Sequence, residues 1–135
     1  METTSEEDFR LCALRTRREL EEISTALWSE FTGVPTSEVW VTQVSSRLHL
    51  VLGRVSAPSV KEALIVVRAA VIVYRETSDV LHGRMRGAHM AGVRIAEWRK
   101  AVRGYGLLLA DADRAVERSS AADESCEPHC AAESL

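Results

Sequence analysis

The chain has 135 residues, of which 46% are hydrophobic and 27% charged, and its formal net charge is -3. That is the length of one domain, with enough apolar residues for a core and too balanced a polarity for a globally disordered chain. The small net charge excludes a partner chosen by bulk charge alone. The most apolar run, ALIVVRAAVIVY at 63–74, carries Arg68 and is too short for a bilayer span, which takes roughly 20 residues.

Residues 5–32 read as a first helix. Ser5 is a candidate N-cap with Asp8 three residues on, a variant of the capping box. Phe9, Ala13, Thr16, Leu20, Ile23 and Leu27 then recur at alternating steps of four and three, which places them along one helix face. Gly33 and Pro35 end the segment. A second helix is expected over 37–55, with Val41, Val44, Leu48, Leu52 and Val55 on its buried face; the β-branched content of SEVWVTQV leaves a strand open there. Ser59 and Glu62, just after Pro58, form an S-x-x-E capping box for a third helix that runs to about residue 82. Its expected seam is Val60, Leu64, Val67, Val71, Tyr74, Ser78 and Leu81.

The stretch HGRMRGAHMAG follows, and beyond it Ala88, Ala91, Ile95, Trp98, Val102, Tyr105, Leu109, Ala112 and Val116 alternate without a miss. The two series slip phase beside three glycines, which predicts a turn near 82–87. A single helix from 59 to 118 would extend about 90 Å with nothing of matching length to pack against. The predicted fold is therefore all-α, an antiparallel up-down four-helix bundle-like domain over residues 1–118. The text from Ser119 onward is small, polar and acidic, and 119–135 is expected to be a disordered tail.

Chemistry is sparse. Cys126, His129 and Cys130 offer three ligands where a tetrahedral zinc site needs four, and they read as incidental residues of the tail. No His has a Glu three residues before it, as an inward-facing di-metal motif would require, and no nucleophile elbow, zinc-protease or phosphate-loop pattern occurs. Neither catalysis nor a cofactor is expected. Arg84, Arg86, Arg94, Arg99, Lys100 and Arg103 stand against Glu97 alone, so phosphate contacts from an arginine-rich helix over 84–103 are the alternative reading. These charges spread around the whole non-core arc, as on an ordinary solvated helix.

The third helix is less ordinary. Besides its seam it carries Ile65, Val66, Ala69, Ile72 and Val73, and its basic charge is confined to one stripe, Lys61, Arg68 and Arg75 at steps of seven, with Asp79 four beyond Arg75. A helix apolar on two sides is covered on two sides, either by a central place among the other helices or by another chain. Ile65, Arg68, Ile72, Val73 and Arg75 are therefore the candidate interface, and the primary expectation is a self-associating interaction module, a homodimer or an accessory or scaffold subunit. The acidic opening METTSEEDF lacks the basic-then-apolar pattern of a signal peptide, so a cytoplasmic setting with reduced thiols is expected, leaderless secretion remaining open.

The phrases VVRAAVIVYRETSDVL and WRKAVRGYGLLLADADRAV resemble segments of the WXG100-like proteins that travel through type VII secretion. The resemblance implies a third class of function, a secreted helical substrate or its chaperone. The family's W-x-G is not matched, because Trp28, Trp40 and Trp98 are followed two residues on by Glu30, Thr42 and Lys100. Its Y-x-x-x-[DE] signal is not matched either, since Tyr74 meets Ser78 and Tyr105 meets Leu109.

Overall fold

The computed structural model describes residues 5–85 and 90–133, with side-chain surroundings given as far as Ala121, Ser119 excepted. Helix α1 spans Glu6–Thr32. Ser5 caps it as expected: its backbone is extended and its Oγ accepts a hydrogen bond from the Asp8 amide at 3.1 Å. Glu6, Glu7 and Asp8 fill the first turn, where negative charge suits the helix dipole. At the other end Gly33 takes a left-handed conformation (φ 78°) and its amide closes onto the Ser29 carbonyl.

The expected second helix is broken up. Thr36–Glu38 form a 3-10 turn after Pro35, the backbone then runs irregularly to Gln43, and α2 occupies only Val44–Leu48 before a 3-10 segment at His49–Arg54. Gln43 is left-handed (φ 50°), which no continuous helix allows. Val44 and Leu48 are buried as expected, whereas Val41 is 57% exposed and Val51 is buried in its place.

Helix α3 spans Val60–Leu81. The expected capping box does not form: Ser59 lies in helical backbone and makes no capping bond, because Pro58 sits within a 3-10 turn at Ala57–Ser59 and moves the extended residue back to Ser56. The expected turn is present. The His82 amide closes on the Ser78 carbonyl, and Gly83 turns left-handed (φ 70°). Helix α4 starts at Ala91 and its backbone continues to Glu133. The expected tail falls mainly where side chains lie outside the description. Among the described side chains of α4 the last buried one is Ala112, and Asp113–Arg118 are exposed.

α1, α3 and α4 pack on one another in pairs. Arg10 of α1 reaches the carbonyl of Leu81 at the end of α3, and Tyr74 in mid-α3 meets Glu21, so α3 runs antiparallel to α1. Glu76 of α3 meets Trp98 early in α4, and Val66 faces Gly104 further on, so α4 turns back again. α2 and its 3-10 continuation close one end: the Tyr105 hydroxyl donates to the Leu48 carbonyl at 2.7 Å, and Arg54 bridges Glu30 of α1 and Asp113 of α4. The result is an antiparallel, all-α, bundle-like fold in which the second helix is a short plug.

The core follows the predicted periodicity on α1 and α4. Phe9, Ala13, Leu20 and Leu27 are buried on the first, and Ala91, Trp98, Val102, Tyr105 and Ala112 on the second. The phase of α3 differs by about one position. Its innermost line is Ala63, Val67, Ala70, Val73, Thr77 and Val80, while Leu64, Val71 and Tyr74 flank it half-buried. Small residues occupy the centre because α3 lies between two long helices, and close axes leave room for Ala and Thr and push larger chains to the sides.

Candidate interaction surfaces

The outward face of α3 carries Ile65, 69% exposed, and Ile72, 51% exposed, one heptad apart. Helical geometry puts Lys61, Arg68 and Arg75 along one edge of this pair and Glu62, Ala69 and Glu76 along the other. Lys61, Arg68 and Arg75 are all exposed. Glu76 leans toward α4, where it accepts from the Trp98 indole at 3.0 Å and lies 3.6 Å from Arg94. Of the five candidate interface residues, Ile65, Arg68, Ile72 and Arg75 thus share one outward surface. Val73 does not: it is 5% exposed and belongs to the core, since it lies about 100° around the helix from Ile72.

The arginine-rich segment does not gather into one ridge. Arg94 turns inward to Glu76, with its Nε buried and unpartnered. Arg84 sits in the turn beside Asp79. Arg99, Lys100 and Arg103 are exposed on the outer side of α4, and Arg86 lies outside the described residues. Cys126, His129 and Cys130 also lie outside the described side chains. No group of three metal-ligating side chains occurs among the described residues. No helix among them is long and apolar enough to cross a membrane.

Periodicity did not find a further set of exposed apolar residues, which lie in the segment where α1 ends. Phe31 is 68% exposed, Trp40 84%, and Val34 and Val41 also face solvent. This segment is braced from beneath. Arg47 is only 7% exposed; its guanidinium lies over the Trp28 ring at 4.7 Å, and its Nη1 donates to the Trp40 carbonyl at 2.7 Å. Trp28 in turn packs against Phe31, with ring centroids 5.7 Å apart. The Ser29 hydroxyl donates to the Val34 carbonyl and the Val34 amide donates to Thr32 Oγ1, which ties down the start of the segment.

A groove of about 450 Å³ runs between the start of α3 and the distal part of α4, floored by Ala63, Val66, Leu108 and Ala112 and rimmed by Arg54, Glu62, Asp111 and Arg118. Arg54 is held firmly charged, chiefly by its hydrogen bond to Glu30, with burial opposing and Asp113 assisting. Burial pushes the Tyr105 phenol well above its ordinary range, against a small opposing effect of the Arg54 charge. Both are structural ties with their hydrogen-bond partners in place, and neither forms a nucleophile–base pair. Comparison of the chain with models of protein families, with curated proteins and with solved structures finds no significant match in any of the three.

Proposed function

We propose that this chain is a helical protein–protein interaction module that self-associates through the outward face of α3, acting as an accessory or scaffold subunit without catalysis, in the cytoplasm. The observation that carries the reading is the pair Ile65 and Ile72, two large aliphatic side chains left in water one heptad apart on a helix whose other side already fills the core. Fully burying such a side chain is worth about 1.5–3 kcal/mol. Four in a two-fold pair supply at most about 6–12 kcal/mol against an association cost of about 4 kcal/mol or more, which caps the expected affinity near the micromolar range, about -8 kcal/mol.

The flanking charges select an orientation. In an antiparallel two-fold pair the basic edge would face the partner's basic edge. In a parallel pair Lys61 faces Glu62 of the partner subunit, so opposite charges meet there, while Glu76 stays turned toward α4 of its own chain. The module is therefore a parallel homodimer about α3. Sedimentation equilibrium at micromolar concentration should give twice the chain mass for the native protein and the single-chain mass for Ile72→Glu, with unchanged helicity. A native chain that stays monomeric well above micromolar concentration ends this reading.

A further inference from the structure

We infer, resting on the α3 pairing proposed above, that α4 completes the self-association surface and that Glu97 receives Arg75 of the partner subunit. The contact surface would then span two helices, with its orientation set by a carboxylate outside α3.

The position of Glu97 follows from how α4 lies on α3. α4 turns its Gly104 side to α3: a Cβ at Gly104 would stand 3.9 Å from Val66 Cγ1. Glu97 precedes Gly104 by seven residues, so it lies on the same strip of the helix, within about 20°. The two helices run antiparallel. A rise of about 10 Å from Gly104 therefore brings Glu97 level with Val73 of α3. The contacts of its neighbours agree, since Arg94 and Trp98 both reach Glu76. Trp98 is buried and Arg94 half-buried, whereas Glu97 is exposed. Its carboxylate thus emerges at the α3–α4 seam, beside the edge of α3 that carries Ala69 and Glu76 and close to Ile72.

Charge supplies the partner. Arg75 is exposed on the opposite edge of Ile72. Among the described residues neither Arg75 nor Glu97 enters an ion pair. The nearby acids are engaged: Glu76 holds Arg94 and Trp98, and Asp79, one turn past Arg75, lies 3.9 Å from Arg84. In a parallel two-fold pair the basic edge of one α3 lies at equal height along the other edge of its mate. The partner's Arg75 then stands about 3 Å in rise from Glu97. Within one chain the two are separated by the Ile72 ridge, so only association brings them together. An antiparallel pair would instead turn Glu97 toward the acidic edge of the other copy. A rim pair of this kind adds little affinity but selects orientation.

Sedimentation equilibrium on the full chain tests this with Glu97→Arg, Arg75→Glu and the double variant. All the substituted side chains are exposed, so circular dichroism and melting should stay at native values. Each single reversal should weaken the dimer about fivefold or more, because the contact occurs twice per dimer, and the double variant should return to within about twofold of native. Raised salt should reduce the difference between native and single variants. A dimer that Ile72→Glu disrupts but that is indifferent to the charge reversals overturns this assignment and leaves the α3 pairing standing. Weakening by both singles without recovery in the double also overturns it, as does tightening by Glu97→Arg, which marks the antiparallel pair. A native chain that is monomeric well above micromolar concentration overturns the pairing and the assignment together.

Discussion

Trp98 is the residue on which most of the core converges. Its ring stacks on Phe9 with centroids 5.3 Å apart and planes 13° from parallel, and its indole donates to Glu76, so one side chain ties together α1, α3 and α4. Trp98→Ala should cost about 3–5 kcal/mol of stability, read by denaturant unfolding; a shift under about 1 kcal/mol would mean that the seam of α4 is not the core. Tyr105 makes a subtler prediction. Its folded-state pKa lies above the ordinary 10.0 because burial disfavours the phenolate. The native state therefore holds its proton where the unfolded chain releases it. That stability is fully present below pH 10.0 and is lost as pH rises further. Tyr105→Phe should flatten this alkaline slope and cost about 1 kcal/mol at neutral pH through the lost bond to Leu48; an unchanged slope means that another group titrates. Trp98 and Tyr105 were both legible in the sequence, because each sits in phase in a long unbroken pattern. Arg47 was not: nothing in its neighbours signals that a guanidinium would be buried against a tryptophan seven positions past a loop carbonyl it must reach.

Among the elements, legibility followed the clarity of the hydrophobic period. α1 and α4 each have one apolar face, so phase and burial agree. α3 has two, and large side chains at 64 and 71 drew the predicted seam about one position away from Ala63 and Ala70, which pack innermost. The second segment shared the helical spacing of its apolar residues without the backbone to support it, and Val41 and Trp40 went to the surface instead. The exposure of Ile65 and Ile72 was readable, whereas Val73 was lost to the same ambiguity of phase. Glycines at element ends and interiors should respond in opposite directions. Gly33→Ala forces a left-handed Cβ at φ 78° and should cost about 1–2 kcal/mol. Gly106→Ala lies within α4 in ordinary helical backbone, and a Cβ there meets nothing within 4 Å, so it should stabilise by about 0.5–1 kcal/mol. Paired melting curves check both signs at once. The proposed parallel pairing of α3 has its own test. Lys61→Glu should weaken the dimer and adding Glu62→Lys should restore it; strengthening by Lys61→Glu alone would instead mark an antiparallel pair.

On the scale of the whole molecule, three long helices are locked at one end by the Phe9–Trp98 stack and at the other by α2, Tyr105 and Arg54. α4 outlasts this body. Val116 still keeps the rhythm of the seam but is 50% exposed, and every side chain described beyond it lies at the surface, so the apolar pattern ends in solvent about one turn after Ala112. Cys126 stands fourteen residues past Ala112, the last core residue among the described side chains, a rise of about 20 Å along the helix. Stability should therefore be indifferent to Cys126, His129 and Cys130. Removing residues 122–135 should leave the thermal midpoint within a few degrees and the proposed α3 pairing unaffected, because every described core contact and end tie draws on residues before Arg114. Cooperative loss of helicity on truncation would place a structural contact beyond Ala121. Stoichiometric zinc that disappears with Cys126→Ser and Cys130→Ser would make the segment a metal site with a fourth ligand drawn from elsewhere, and Cys12, partly buried on α1 as a free thiol, is the first residue to substitute next.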